Sequence, residues 1–264
     1  MYFILKKRTV IIAMTVLLFA LCVPAVIGAF GGNEAVETVA ENTNWGLGFK
    51  EDGKPPTGNA SVADLAKHNA YYIGDTSKNI IYLTFDAGFE NGNTEKILDS
   101  LKKHNVKATF FLVGNYIETS PELVERMVEE GHTIGNHTYS HADLARTNYN
   151  KASVEINKTN EIITSITGTS PKYIRPPYGD VNKKLLENTG MRVVLWNVDP
   201  EDWKDQNADI VVNRIISHVR PGDIILLHDI FKSSVEAALK TVDILQDKGY
   251  QFVTVDKLNN STIK

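Results

Sequence analysis

The stretch Ile81-Tyr82-Leu83-Thr84-Phe85-Asp86-Ala87-Gly88-Phe89-Glu90-Asn91-Gly92 (IYLTFDAGFENG) decides how this chain is read. It begins as an apolar run rich in aromatic and β-branched residues, the composition of a buried strand. It then ends on an acid and turns on glycines. In isolation, an aspartate two residues before a glycine is a turn or cap residue. In one setting it means more. Where parallel strands alternate with helices, chemistry collects at the C-terminal ends of the strands. The rest of the chain must therefore show that alternation and supply partners for Asp86.

Outward from this run the alternation is plain. Further strand-like runs lie at 108–113, 133–135, 173–174, 193–198, 224–227 and 252–255, after the first at 80–85. Helical patterns separate most of them. Residues 94–104 set Ile97, Leu98 and Leu101 on one face. Ser120-Pro121 reads as a cap followed by proline at the first helical position. Residues 234–248 space Val235, Ala238, Leu239, Val242 and Leu245 helically. About seven strand–helix units fit the length, which predicts an α/β fold on a parallel sheet, open or closed into a barrel.

Polar residues follow these runs in one direction. Asp86 follows the first. His137 and His141 follow the third, spaced so that on a helical turn both would face one divalent cation. Arg175 opens the rigid Arg175-Pro176-Pro177-Tyr178-Gly179 turn, where an arginine is ordinarily a surface residue. Asp199, Asp202 and Trp203 follow the fifth run, and His228-Asp229 the sixth. A titratable group ending a fully apolar strand needs a partner or a use, and Asp202 or Asp199 is a candidate partner for His228. His132 precedes its strand and is expected to be structural.

Five ordered motifs now stand together: Thr84-Phe85-Asp86, His137-x-x-x-His141, Arg175-Pro176-Pro177-Tyr178, Asp199 to Asp202-Trp203, and Leu226-Leu227-His228-Asp229. Over residues 79–258 they resemble the polysaccharide deacetylases, carbohydrate esterase family 4, the NodB-homology domain. The resemblance implies a distorted (β/α) barrel of about seven parallel strands. It also implies hydrolysis of an N-acetyl group, with Asp86 as general base, Arg175 orienting it, His228 as general acid and Asp202 raising the proton affinity of His228. Trp203 and Leu227 would line an acetyl pocket, the Tyr178 N–H would bind the oxyanion, and His137 and His141 would hold a divalent metal, Zn or Co. Ala87 stands where the family pattern has a second aspartate, the third metal ligand, so the cofactor is in doubt more than the reaction. Asn44-Trp45-Gly46, Tyr71-Tyr72-Ile73-Gly74-Asp75-Thr76 and the stretch around Asp86 are similar to the muramic δ-lactam-forming peptidoglycan de-N-acetylases of spore-forming bacteria. The second half is more similar to N-acetylglucosamine deacetylases of the vegetative wall. A glycan-binding protein that has lost catalysis, or another metal-dependent hydrolase on the same barrel, are the competing classes.

Composition bounds the rest. A chain of 264 residues with a formal charge of -4 carries no basic footprint, which argues against a nucleic-acid partner. Lys6, Lys7 and Arg8 precede an uncharged run from Thr9 to Phe30, read as a signal peptide or an uncleaved membrane anchor over residues 1–30. Either way the body is expected in the cell envelope or secreted, as a monomer acting on the peptidoglycan glycan strand. The single cysteine, Cys22, lies in this run, so no disulfide within the chain is expected. Residues 31–78 read as a linker and a lead-in that wraps the domain at 79–264.

Overall fold

The alternating chemistry of residues 80–87 builds the centre of the molecule. The structure is a computed structural model and describes residues 61–179 and 189–258, with the backbone of 47–48 and 57–58. The N-terminal basic and apolar segment with Cys22, and Asn44-Trp45-Gly46, lie outside the described residues. Strands β1 (Leu47–Gly48) and β2 (Thr57–Gly58) pair antiparallel as a small ribbon. The main sheet holds β3 (Ala70–Tyr71), β4 (Ile80–Ala87), β5 (Thr109–Leu112), β6 (Thr133–Asn136), β7 (Tyr173–Ile174), β8 (Arg192–Val194), β9 (Ile224–His228) and β10 (Gln251–Val253). Its order is β10-β4-β5-β6-β7-β8-β3, with β9 also on β4, and every pairing is parallel. The fold is the distorted (β/α) barrel expected.

Parallel sheets persist when both faces are covered, and β4 shows it: all of its residues after Ile80 are buried. Ile81, Leu83, Phe85 and Ala87 join one apolar cluster with helices Thr94–Lys103, Pro121–Glu129, Ala208–His218 and Lys232–Asp247. Tyr82 joins a second cluster with Phe111, Ile174, Val194 and Leu226, and the polar Thr84 and Asp86 are buried beside these positions in the period-two pattern of a strand.

Several local expectations change. All seven runs contribute strands, and the lead-in contributes an eighth, since Ala70–Tyr71 pairs with β8. The run at 193–198 is strand only to Val194; a single parallel bridge, Val198 to Ile225, then brings the chain against β9. Asn197 stabilises that crossing by donating to Asp223 at 2.5 Å. Ser120 precedes Pro121 as read, but its side chain makes no capping hydrogen bond. Among the described residues no helix is long and apolar enough to cross a membrane.

Candidate active site

The register of two strands creates the site. Asp86 at the end of β4 pairs with His228 at the end of β9, so parallel pairing brings the two side by side. Asp86 is not a turn residue: it is 7% exposed and ion-paired. Arg175, far from a surface residue, is fully buried and donates to Asp86 Oδ1 at 2.8 Å. Its Nε donates to the carbonyl of Val194 at 3.0 Å and its Nη2 to that of Leu195 at 3.1 Å. The guanidinium stacks over Phe111, 4.2 Å from the ring centre. Burial alone would raise the Asp86 carboxyl, but the charge and hydrogen bond of Arg175, with the charge of His228, outweigh it and hold Asp86 below the ordinary aspartate value.

His228 has a matching partner. Its Nδ1 lies 2.8 Å from Asp202 Oδ1, and its backbone N–H donates to Asp202 Oδ2, also at 2.8 Å. Burial would lower the imidazole, yet the hydrogen bond and charge of Asp202, with Asp86 and Asp199, raise it above the ordinary histidine value. Asp199 is not the partner, because its Oδ1 accepts the N–H of Glu201. With Nδ1 committed to Asp202, Nε2 is left to meet a substrate.

His137 and His141 are brought together, though not on a helical turn. They sit on an irregular loop after β6 whose Thr138 and His141 have positive φ. The imidazole rings lie 5.0 Å apart, and His141 is edge-on to Tyr178, also at 5.0 Å. His137 Nδ1 lies 2.6 Å from the Arg175 carbonyl and donates to it. Burial lowers His137 to about 4, so at neutral pH its Nε2 is an acceptor. It faces Asp86 Oδ2 at 3.5 Å, one acceptor against another. The pair suits a group with a proton or positive charge to offer. His132 is structural as read, its Nδ1 accepting the Ala108 N–H at 3.1 Å.

Comparison with known proteins decides what this arrangement belongs to. Residues 73–194 match the family model described as polysaccharide deacetylase. The chain is 37% identical over 247 residues to the peptidoglycan-N-acetylmuramic acid deacetylase PdaA of Bacillus subtilis, covering 90% of this chain and 94% of that one. The chain belongs to the polysaccharide deacetylase family. The solved PdaA structure superposes with a TM-score of 0.77, covering 83% of this chain and 97% of that one. The peptidoglycan-N-acetylglucosamine deacetylase of Bacillus cereus is 42% identical over 201 residues, 74% of this chain and 73% of its own. PdaC of Bacillus subtilis, another N-acetylmuramic acid deacetylase, is 45% identical over 70% of this chain, which spans 39% of PdaC.

The deacetylase departs from its sequence reading in two places. Leu227 is fully buried in the cluster with Phe85 and Ala87, on the face of β9 opposite His228. Leu226 shares the His228 face, and the period of two along the strand was the signal for it. The metal reading fares differently. Ala87 lies in the apolar cluster and offers no ligand atom. Among the described residues no group of three His, Cys, Asp or Glu gathers to hold a metal. Two imidazoles fall one protein ligand short of the three a catalytic zinc site carries. With alanine at 87 the two imidazoles are an incomplete site for the family metal.

Proposed function

We propose that this polysaccharide deacetylase is an exported peptidoglycan de-N-acetylase that acts on N-acetylmuramic acid and serves muramic δ-lactam formation in spore cortex. The carrying observation is the pair of opposed ion pairs, Asp86 with Arg175 and His228 with Asp202, set side by side by the β4–β9 register. Amide hydrolysis needs a base for water and an acid for the leaving amine, both in the correct protonation state at one pH. Asp86 stays ionised because Arg175 faces it. The attacking water lies to one side of Asp86 Oδ2 and His137 Nε2, bridges them by donating to both, and loses its proton to Asp86 as it attacks the acetyl carbon. His228, kept protonated by Asp202, gives its Nε2 proton to the amine as the C–N bond breaks. Leu226 and the exposed Trp203 border the space for the acetyl methyl, and the Tyr178 N–H serves the oxyanion.

The muramic preference is supported by the match to PdaA over nearly its whole length and by the motifs before and around Asp86. The identity to the N-acetylglucosamine deacetylase supports the second reading, in which the neighbouring sugar is the substrate. Export and envelope location rest on the Lys6–Arg8 charge and the apolar run after it. The deciding experiment incubates the protein with intact and peptide-stripped peptidoglycan, measures acetate, and assigns the deacetylated sugar by mass spectrometry of muropeptides. Loss of acetyl from muramic acid is expected, with folded His228→Ala slower by about 100- to 10,000-fold. Loss from glucosamine alone would move the substrate to the neighbouring sugar. No acetate from either substrate would leave only glycan binding.

A further inference from the structure

One residue beyond the acid lies a buried carboxyl that the reaction does not use. Asp229 is 1% exposed. Its Oδ2 accepts the Thr94 hydroxyl at 2.9 Å, and its Oδ1 has no hydrogen-bond partner among the described residues. The Tyr116 hydroxyl lies 3.2 Å from Thr94 Oγ1 and 3.3 Å from Glu90 Oε2. Glu90 in turn accepts the Gly92 N–H. This chain of hydroxyls joins the segment after β9 to the loop after β4. Asn91 and Asn93 tie the same two segments by donating to the Ile230 carbonyl at 2.6 Å and 3.0 Å.

Counting protons distinguishes two states of the chain. A tyrosine hydroxyl has one proton and serves Thr94 or Glu90, not both. With Asp229 ionised, Thr94 and Tyr116 both point toward it. Glu90 Oε2 then loses its donor, and the unpartnered Oδ1 belongs to a buried charge, a costly arrangement. With a proton on Asp229, the hydroxyls reverse. Asp229 donates to Thr94, Thr94 to Tyr116 and Tyr116 to Glu90, which places the negative charge at the partly exposed end.

The charged groups facing Asp229 pull in opposite directions, Glu90 toward the protonated state and His228 toward the ionised one. Glu90 approaches from the loop after β4 and His228 from its own strand end. Helix Thr94–Lys103 contributes the neutral Thr94, and helix Gly114–Thr119 contributes Tyr116, whose phenol burial pushes far up, so it stays a donor. Burial is the largest effect, and with Glu90 it outweighs the Thr94 hydrogen bond, the residue's own backbone N–H and the charge of His228, leaving Asp229 pushed up to about 7.

We propose that Asp229 is a positioning residue, a neutral carboxylic acid that clamps loop 88–93 against the segment carrying His228 and releases it on ionising. This rests on Asp86 and His228 being base and acid, but its main test does not use activity. A carboxyl bound more tightly to its proton in the folded state stabilises fully below the unfolded value, here 3.8. That stabilisation is lost as pH rises to the folded value of about 7, and is flat above it. The experiment measures denaturant midpoints from about pH 4 to about pH 8 for the full chain and for Asp229→Asn, with the infrared carboxylic acid band recorded at pH values below 7. The wild-type advantage over Asp229→Asn is expected to fall across that window and then level, and the variant is expected to lack one protonated-carboxyl band. A difference independent of pH, or an unchanged band, would overturn the clamp. In turnover, Asp229→Leu is expected to lower kcat by about tenfold or more with little change in KM, because small displacements of a catalytic group are costly. Asp229→Asn, which keeps a neutral hydrogen-bonding shape, is expected to recover much of that loss. A folded leucine variant as active as the asparagine one would count against the proposal. Should the leucine variant fail to fold, the asparagine stability curve still decides. A wild type without deacetylase activity would defeat the functional reading while that same curve judged the clamp.

Discussion

His228 shows how one neighbour decides the chemistry of a side chain. Burial by itself lowers an imidazole, and an acid that has lost its proton cannot protonate an amine. Asp202, fully buried and in contact with both the ring and the backbone N–H of His228, reverses the sign. The alkaline limb of kcat/KM should therefore lie above the 6.5 of an ordinary histidine. In Asp202→Asn the carboxylate charge is gone and burial dominates, so that limb should move to lower pH. The measurement is the pH dependence of kcat/KM for both proteins, and an alkaline limb that stays in place would remove Asp202 from this role. The acid limb should be unaffected in either, because Arg175 rather than Asp202 holds Asp86 ionised.

At the scale of elements, the ion pair depends on one missing side chain. A Cβ at Gly135 in β6 would lie 2.4 Å from Phe111 Cδ1 on the neighbouring β5. Phe111 is the ring on which the Arg175 guanidinium rests. Gly135→Ala should therefore overpack this contact, at about 1–3 kcal/mol of stability. It should also lower kcat, since the displaced ring takes Arg175 away from Asp86. Urea unfolding together with steady-state kinetics checks both, and full activity in a destabilised variant would break the link to Arg175. The loop after β6 carries a separate expectation. Its two imidazoles have no third protein ligand at Ala87, so Zn²⁺ or Co²⁺ should bind weakly and be stripped by a chelator. Calorimetric titration of the metal into wild type and His137→Ala measures this. Tight binding to wild type would show a ligand beyond the two histidines.

For the whole molecule, all proposed groups lie on or just beyond the strands of one parallel sheet, from Asp86 to His228. The catalytic arrangement is therefore expected to survive removal of residues 1–28. A chain beginning at Ala29 should express as a soluble protein and release acetate from soluble N-acetylated glycan fragments. A folded truncation inactive on every such fragment would make the N-terminal segment, or the wall polymer itself, part of the active assembly.

The architecture and most of the site were legible in the chain because strand and helix periods are local properties, and a parallel sheet places all its strand ends on one side. Asp86, His137, Arg175 and His228 could thus be assigned to one end before any distance was known. What depends on packing was not legible. Arg-Pro-Pro reads as a surface turn, and only the tertiary structure buries Arg175 under Phe111 and against Asp86. The position of Asp202 and Asp199 after one run left both open as partners of His228, the family resemblance favoured Asp202, and the hydrogen bonds to the ring and backbone of His228 agree with it. The strand Ala70–Tyr71 is two residues long, too short for a periodic signal, and exists because β8 offers it a partner. Leu226 rather than Leu227 shares the face of His228, and here the period of two along β9 was a legible signal that the sequence reading passed over. The Asp229 clamp lay beyond the sequence because its members, Glu90, Thr94, Tyr116 and Asp229, come from separate elements and meet only when the sheet closes around them.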